Sequence, residues 1–375
     1  MRFSWSSLFQ SRIEAVGLEI GASSLKLVEL TGSPRALRAY AKRPTPPGVL
    51  MGGQVVEPAA LAQEIRELFL QAGVRKRYVV TALPSQATVV RTLQVPRMPL
   101  KEMEEAVRWE AERYIPFPID EVVLDFAPLE ASQDEEALGD QVQVVVAAAR
   151  QETVASLVEA LKGAGLIPLV VDVKPFAGLY PLEGLLVGQT AFVVEIGGSA
   201  TTMTLVQGTN PLAVRVLEVS GQSFTEAIAR AFGLDLLAAE EVKLAYGLAT
   251  LPTEDEELLL DFDLEREKYS PARIYDAIRP VLVELTQELR RSLEFFRIQL
   301  GDLEVNTGFL YGGGSRLRGL PTLLQDALGL PFQEANPWGS VQVDGRRFDL
   351  EELKRLAPEF TVPVGLGIRG VSPLD

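Results

Sequence analysis

One motif occurs twice in this 375-residue chain, and the repeat limits the folds open to it. Residues 16–30 read VGLEIGASSLKLVEL: an apolar run, a Gly-Ala-Ser-Ser turn and a second apolar run. The pattern predicts a β-hairpin whose tip turns backbone N–H groups and hydroxyls towards an anion. Residues 193–206 read VVEIGGSATTMTLV and repeat that layout, with Glu195 lying 176 residues after Glu19. Two such hairpins in halves of similar length predict two related lobes facing one ligand.

Length agrees with two domains, since a chain of this size exceeds one compact core. At 47% hydrophobic and 23% charged, most of the chain should be ordered. A net charge of −15 without a clustered basic face argues against nucleic acid and against direct attraction to an anionic membrane. There is no Cys and no His, which removes disulfides, thiolate metal sites and the commonest general base. Any catalysis must run on carboxylates, Lys, hydroxyls or a bound cation. No apolar run approaches the roughly 20 residues that span a bilayer, and a cytoplasmic chain is expected. The first nine residues, MRFSWSSLF, are expected to lie as a tail on the surface.

Between the hairpins, a helix is expected from Pro58 to the stop at Gly73, with Leu61, Ile65, Leu68 and Phe69 on its apolar face, then a strand at 78–83. An inserted β-α-β-β-α block follows. Its elements are an alternating strand (87–95), a helix (100–114), strands at 122–129 and 141–149 around an acidic loop (132–140), and a helix (152–161). Met103, Val107, Ala111 and Tyr114 share the inner face of the first helix, and Trp109 falls on another. Trp109 and Phe117, in the IPFP turn, are suited to a peptide-docking groove or to packing within the block. A strand at 168–173 carries Asp172 near its end, a place from which a carboxylate can orient water or Mg²⁺, or cap the next turn.

Beyond the second hairpin, Glu240 and Lys243 share a helix face, fit either to hold two ribose hydroxyls or to form a plain surface ion pair. An acidic linker (253–263) precedes a long helix (271–300) striped by Leu282, Leu285, Leu289, Leu293 and Phe296. A strand at 306–311 runs into Gly312-Gly313-Gly314-Ser315 and a helix, an arrangement open to a flat or anionic ligand. Residues 360–369, FTVPVGLGIR, predict a last short helix.

Five segments, taken in order, resemble the actin-like ATPase superfamily that includes Hsp70, sugar kinases and FtsA. They are residues 17–30, 194–205, 171–175, 239–247 (AEEVKLAYG) and 311–321 (YGGGSRLRGLP). Within it, VGLEIGASSLKLVEL, WEAERYIPFPIDEVVLDF (109–126) and VVDVKPFA (170–177) resemble the PilM family of type IV pilus assembly. The resemblance implies an α/β, two-lobed actin-like (ribonuclease H-like duplicated) fold with an FtsA-like inserted subdomain. Residues 1–84, 164–188 and 358–375 would form the first lobe and 85–163 the insert. Residues 189–221 and 302–357 would form the second lobe's core, and 222–301 its helical subdomain.

The resemblance further implies ATP and Mg²⁺ as cofactors. The triphosphate would lie between Gly21, Ala22, Ser23, Ser24 and Lys26 on one side and Gly197, Gly198, Ser199 and Thr201 on the other. Glu240 and Lys243 would meet the ribose, and Gly312, Gly313, Gly314, Ser315 and Arg316 would frame the adenine. The implied partners are the N-terminal cytoplasmic peptide of PilN and other inner-membrane assembly components, the membrane being reached only through them. One departure stands out: Glu19 and Glu195 occupy places where hydrolysing relatives carry Asp that holds Mg²⁺ through waters. An extra methylene shifts each carboxylate, and Mg²⁺ demands near-octahedral geometry, so ATP binding with slow or no hydrolysis is expected. Two other readings stand beside this one: a small-molecule kinase, with Asp172 as its base, and an FtsA-like filament anchor, which would self-associate.

Overall fold

The computed structural model describes residues 14–129, 140–250, 269–301 and 303–372. The expected tail at 1–9, the acidic linker and all but the last residue of the acidic loop lie outside them. The first hairpin forms from β1 (Val16–Ile20) and β2 (Ser24–Gly32), paired antiparallel with Glu19 opposite Lys26. Every residue of β1 is buried, which explains its unbroken apolar character. β3 (Arg35–Pro44) continues the antiparallel run, and β6 (Tyr78–Leu83) and β10 (Ile167–Val173) add parallel to β1 on its other side. A short β4–β5 hairpin (Leu50–Met51, Gln54–Val55) lies apart from this sheet.

The second sheet repeats the first. β11 (Thr190–Ile196) and β12 (Thr201–Gln207) form the second hairpin, and β13 (Asn210–Leu217) continues it antiparallel. β14 (Thr307–Tyr311) and β15 (Phe332–Glu334) add parallel on the side of β11. The orders β3-β2-β1-β6-β10 and β13-β12-β11-β14-β15 therefore match strand for strand and direction for direction. The internal repeat in the sequence is a repeat of topology.

Helix α1 (Pro58–Ala72) has Pro at its start and ends on Gly73 in the left-handed conformation, burying Leu61, Ile65, Leu68 and Phe69 against the first sheet. In the insert, β7 (Thr88–Pro96), β9 (Gln141–Arg150) and β8 (Val122–Pro128) form a three-stranded antiparallel sheet. Helix α2 (Leu100–Ala111) packs on it through Met103, Val107 and Ala111. The helix ends earlier than the sequence predicts, and Tyr114, beyond its end, is 50% exposed and outside the inner face. Helix α3 (Gln151–Gly163) buries Leu157, Ala160 and Leu161 beside Leu61 and Ile65 of α1, so its apolar face belongs to the first lobe's core.

In the second lobe, α4 (Gly221–Phe232) and α5 (Leu236–Tyr246) pack with the long α6 (Pro271–Gln299). The predicted stripe on α6 is buried throughout. Burying each Leu contributes about 1.5–3 kcal/mol. α7 (Leu320–Leu328) and α8 (Leu350–Leu356) lead to the final helix, α9 (Thr361–Val371). All but one residue of α9 is buried, because three glycines let backbone meet backbone. A Cβ on Gly365 would fall 1.8 Å from the Ala177 carbonyl oxygen, and one on Gly370 would fall 2.6 Å from that of Ala15. The contact is reciprocal, since a Cβ on Gly17 of β1 would fall 2.3 Å from the amide of Gly367.

Candidate functional site

The hairpin tips are built alike. Gly21 N–H donates to the Ser24 carbonyl at 3.1 Å, and Gly197 N–H donates to that of Ala200 at 2.9 Å. A Cβ on either glycine would meet the acceptor, at 2.8 and 2.9 Å respectively. Glycine is therefore required by close approach within the turn. The Thr45 hydroxyl, donating to the Gly21 carbonyl at 2.7 Å, pins the first tip from behind. The amides of Ala22, Ser23, Gly198 and Ser199 take no part in the backbone hydrogen bonding found among the described residues. The second tip is also held from the other lobe by Gln86, in the turn between β6 and β7, whose side chain donates to the Ser199 carbonyl at 2.8 Å and accepts from the Ser199 hydroxyl at 3.0 Å.

Between the tips lies a buried charge cluster. Lys26 Nζ lies 3.0 Å from Glu19 Oε2, as their pairing across β1 and β2 dictates. In the second hairpin Thr202 takes the place of Lys26 opposite Glu195, so Glu195 has no lysine of its own. Lys174 supplies the cation: its Nζ lies 2.9 Å from Glu19 Oε1 and 2.5 Å from Glu195 Oε1, joining the lobes through one ammonium. It opens a one-turn helix, Lys174–Ala177, at the end of β10. Burial opposes the charge on Lys174, but Glu195 and Glu19 outweigh it and hold the ammonium well above its ordinary range. Burial likewise opposes ionisation of Glu19, yet Lys26 and Lys174 together hold that carboxyl below its usual value. Burial prevails at Glu195, where Lys174 pulls the other way and Glu19 repels, and its carboxyl is pushed up. Its Oε2 is buried without a hydrogen-bond partner, as is the Thr201 hydroxyl.

A second charge group adjoins this one. Lys42, opposite Lys26 on β3, pairs with Glu359, which also pairs with Arg316. Arg316 is thus engaged by a carboxylate beside the glycine loop. Gly312, at φ 93°, and Gly314 press that loop onto Ile196, the last residue of β11; their Cβ atoms would fall 2.4 Å from its carbonyl oxygen and 2.3 Å from its Cγ2. Gly313 has open space around it. The Ser315 hydroxyl closes the turn by donating to the Gly312 carbonyl at 2.7 Å.

Glu240 and Lys243 do share a face of α5, and they pair at 2.6 Å. Lys243 also donates to the Gly221 carbonyl at 2.9 Å and to the Thr225 hydroxyl at 2.8 Å, tying α5 to the start of α4. Gly221 and Gln222 in turn donate to the carbonyls of Gly197 and Gly198 at 2.8 and 3.0 Å. The Glu240 pair is thereby linked to the second tip.

Two expected site features have defined protein partners. Glu19 and Glu195 converge, and the Lys174 ammonium lies between them. Among the described residues no cluster of three or more acidic, His or Cys side chains is arranged to hold a metal. Asp172 accepts from the Val173 N–H at 2.7 Å and the Tyr180 hydroxyl at 3.0 Å, and so caps the turn that it precedes. Lys174, Lys42 and Glu359 are the charged residues that the sequence does not single out. A signal for Lys174 existed: two buried-type strands each carry a Glu, and VVDVKPFA sets a lone Lys in an apolar context.

In the insert, Trp109 is 77% exposed. Phe117 is partly buried beneath the Arg150 guanidinium, 4.1 Å from its ring centre. The apolar depression nearby is lined instead by Leu93, Ala111, Tyr114, Ile115 and Val146, between the end of α2 and the sheet.

Residues 17–371 match the family model described as type IV pilus assembly protein PilM. The chain belongs to the PilM family. A solved PilM–PilN type IV pilus biogenesis complex contains a similar chain, 61% identical, with a TM-score of 0.85, covering 96% of this chain and 100% of that one. The cell division protein FtsA of Bacillus subtilis (strain 168) is 22% identical over 361 residues, or 86% of this chain and 78% of FtsA. MreB 5 of Spiroplasma citri, solved with AMPPNP bound, superposes with a TM-score of 0.54 at 14% identity, over 95% of each chain. These likenesses and the duplicated sheets make this chain a two-lobed, actin-like α/β protein. Among its described residues, no helix is long and apolar enough to cross a membrane.

Proposed function

We propose that this chain is an ATP-binding scaffold of type IV pilus assembly that docks the N-terminal cytoplasmic segment of a PilN partner at the inner membrane. The supporting observation is the 61% identity, over nearly the whole chain, to a protein solved in a PilM–PilN complex. ATP binding is supported by the two glycine-closed tips with their unengaged amides, the ammonium groups of Lys26 and Lys174 between them, and the Gly312–Gly314 loop beyond. Lys26 spends one bond on Glu19, and an ammonium carries three donors, so it can also meet phosphate oxygens. Glu240 beside Lys243 would face the ribose, and the glycine loop the adenine.

Turnover is expected to be slow or absent. Both carboxylates at the cleft floor are tied to lysine, and the chain contains no His to activate water. The kinase reading loses support on Asp172, because its two hydrogen bonds leave that carboxylate occupied at the end of β10. Calorimetry tests the nucleotide claim. Lys26→Ala should abolish ATP binding, and unchanged affinity would remove Lys26 from the site. Capture of a synthetic PilN N-terminal peptide tests the scaffold claim, and absence of capture would defeat it.

A further inference from the structure

We propose that the Lys174 ammonium is the resident cation of this cleft, standing where a divalent metal would bridge Glu19 and Glu195, so that the triphosphate binds without Mg²⁺. The inference rests on the nucleotide reading above and goes beyond it. Glu19 Oε1 and Glu195 Oε1, one from each lobe, converge on Nζ at 2.9 and 2.5 Å. The other oxygen of Glu19 is held by Lys26 at 3.0 Å. A metal reached through both carboxylates would have to displace an ammonium whose helix is held in place by packing.

That anchorage is tight. Pro175 follows Lys174, the Ala177 carbonyl is pressed against Gly365, and a Cβ on Gly178 would fall 2.1 Å from the Tyr311 hydroxyl. The one-turn helix cannot slide without breaking contacts to α9 and β14. Two carboxylates face two ammonium groups, so the cleft floor is already neutral. Of the four carboxylate oxygens of Glu19 and Glu195, three are taken by ammonium groups; the fourth, Glu195 Oε2, is buried without a partner, as is the Thr201 hydroxyl, so the one or two free carboxylates through which Mg²⁺ is usually held are not offered here. The triphosphate would instead meet tethered cations and the tip amides.

The experiment is calorimetry of ATP against the purified full-length chain, stripped of nucleotide, once in EDTA and once in excess Mg²⁺. ATP should bind at least as tightly in EDTA as in excess Mg²⁺, since the metal competes with the site for the triphosphate in solution, and binding about tenfold tighter in Mg²⁺, which corresponds to about 1.4 kcal/mol, would overturn the inference. Lys174→Met, checked for folding by circular dichroism, should bind about tenfold or more weakly in EDTA and recover when Mg²⁺ is added. Should that variant not fold, the wild-type comparison still decides. Wild-type binding seen only with Mg²⁺ would overturn this inference and leave the nucleotide reading intact. No binding under either condition would overturn the nucleotide reading and this inference with it. Manganese as the probe gives an independent readout: with ATP and the chain present, its electron paramagnetic resonance spectrum should match that of Mn²⁺–ATP free in solution. A protein-bound signal overturns the proposal.

Discussion

Gly198 of the second hairpin lies against Ser23 of the first, so close that a Cβ on Gly198 would fall 2.1 Å from the Ser23 hydroxyl oxygen. The obstructing atom ends a short, rotatable side chain, which makes the clash partly relievable. Gly198→Ala should therefore lower stability by about 1 kcal/mol, and Ser23→Gly should restore most of it. A double-mutant cycle on melting temperature measures the coupling. Additive effects would mean that the tips do not touch in solution.

Gly365 poses a harder constraint, because its neighbour is the Ala177 backbone carbonyl. Backbone cannot rotate away as a hydroxyl does. Gly365→Ala should destabilise the chain by about 3 kcal/mol, at the upper end of overpacking effects, read from urea unfolding. Gly313→Ala, with open space around it, serves as the control and should cost little.

Acid should loosen the cleft. Burial works against the charge on Glu359, but Lys42, Lys26 and Arg316 outweigh it and hold the carboxyl below the ordinary value of 4.5; Glu19 is depressed too. A depressed carboxyl binds its proton more weakly in the folded state. Its contribution is complete above 4.5 and is lost as pH falls through the folded values beneath it. Glu195, pushed up, acts in the opposite sense over the range above 4.5. Melting temperature followed from about pH 6 to about pH 3 should fall steeply at the acid end, and Glu359→Gln should flatten that fall. An unchanged slope in the variant would remove Glu359 from the acid response.

Trp109 and Phe117 should separate on stability and agree on partner binding. Trp109 is mostly exposed, and Trp109→Ala should shift stability by less than about 0.5 kcal/mol. Phe117→Ala loses its stacking with Arg150, worth about 0.5–1 kcal/mol, together with its packing. Both should weaken capture of the partner peptide. Retained binding in both would shift the groove to the depression beside Tyr114 and Ile115.

The hairpins, α1, α5 and the stripe on α6 were legible because each rests on local periodicity or on a glycine that a turn requires. Glu19 and Glu195 could be paired from the repeat alone. The third member of their cluster could not, since what Lys174 touches depends on how two sheets approach, and VVDVKPFA states only that a strand gives way to a turn. Asp172, two residues earlier, has the more familiar chemistry but points its bonds at its own turn. Similarly, VGLGIRG announces a weak helix by propensity. Its burial follows from glycine contacts with β1 and Ala177, which no window of sequence contains.

That last helix has a consequence for the order in which the fold can close. β1 and α9 stand far apart in sequence, so the contact between them closes a very long loop. Until residues 361–371 dock, the face of β1 and β2 that packs against α9 stays bare and apolar. Pairing across such a separation is slow by topology, and the first sheet is covered only after the chain between its two ends has folded.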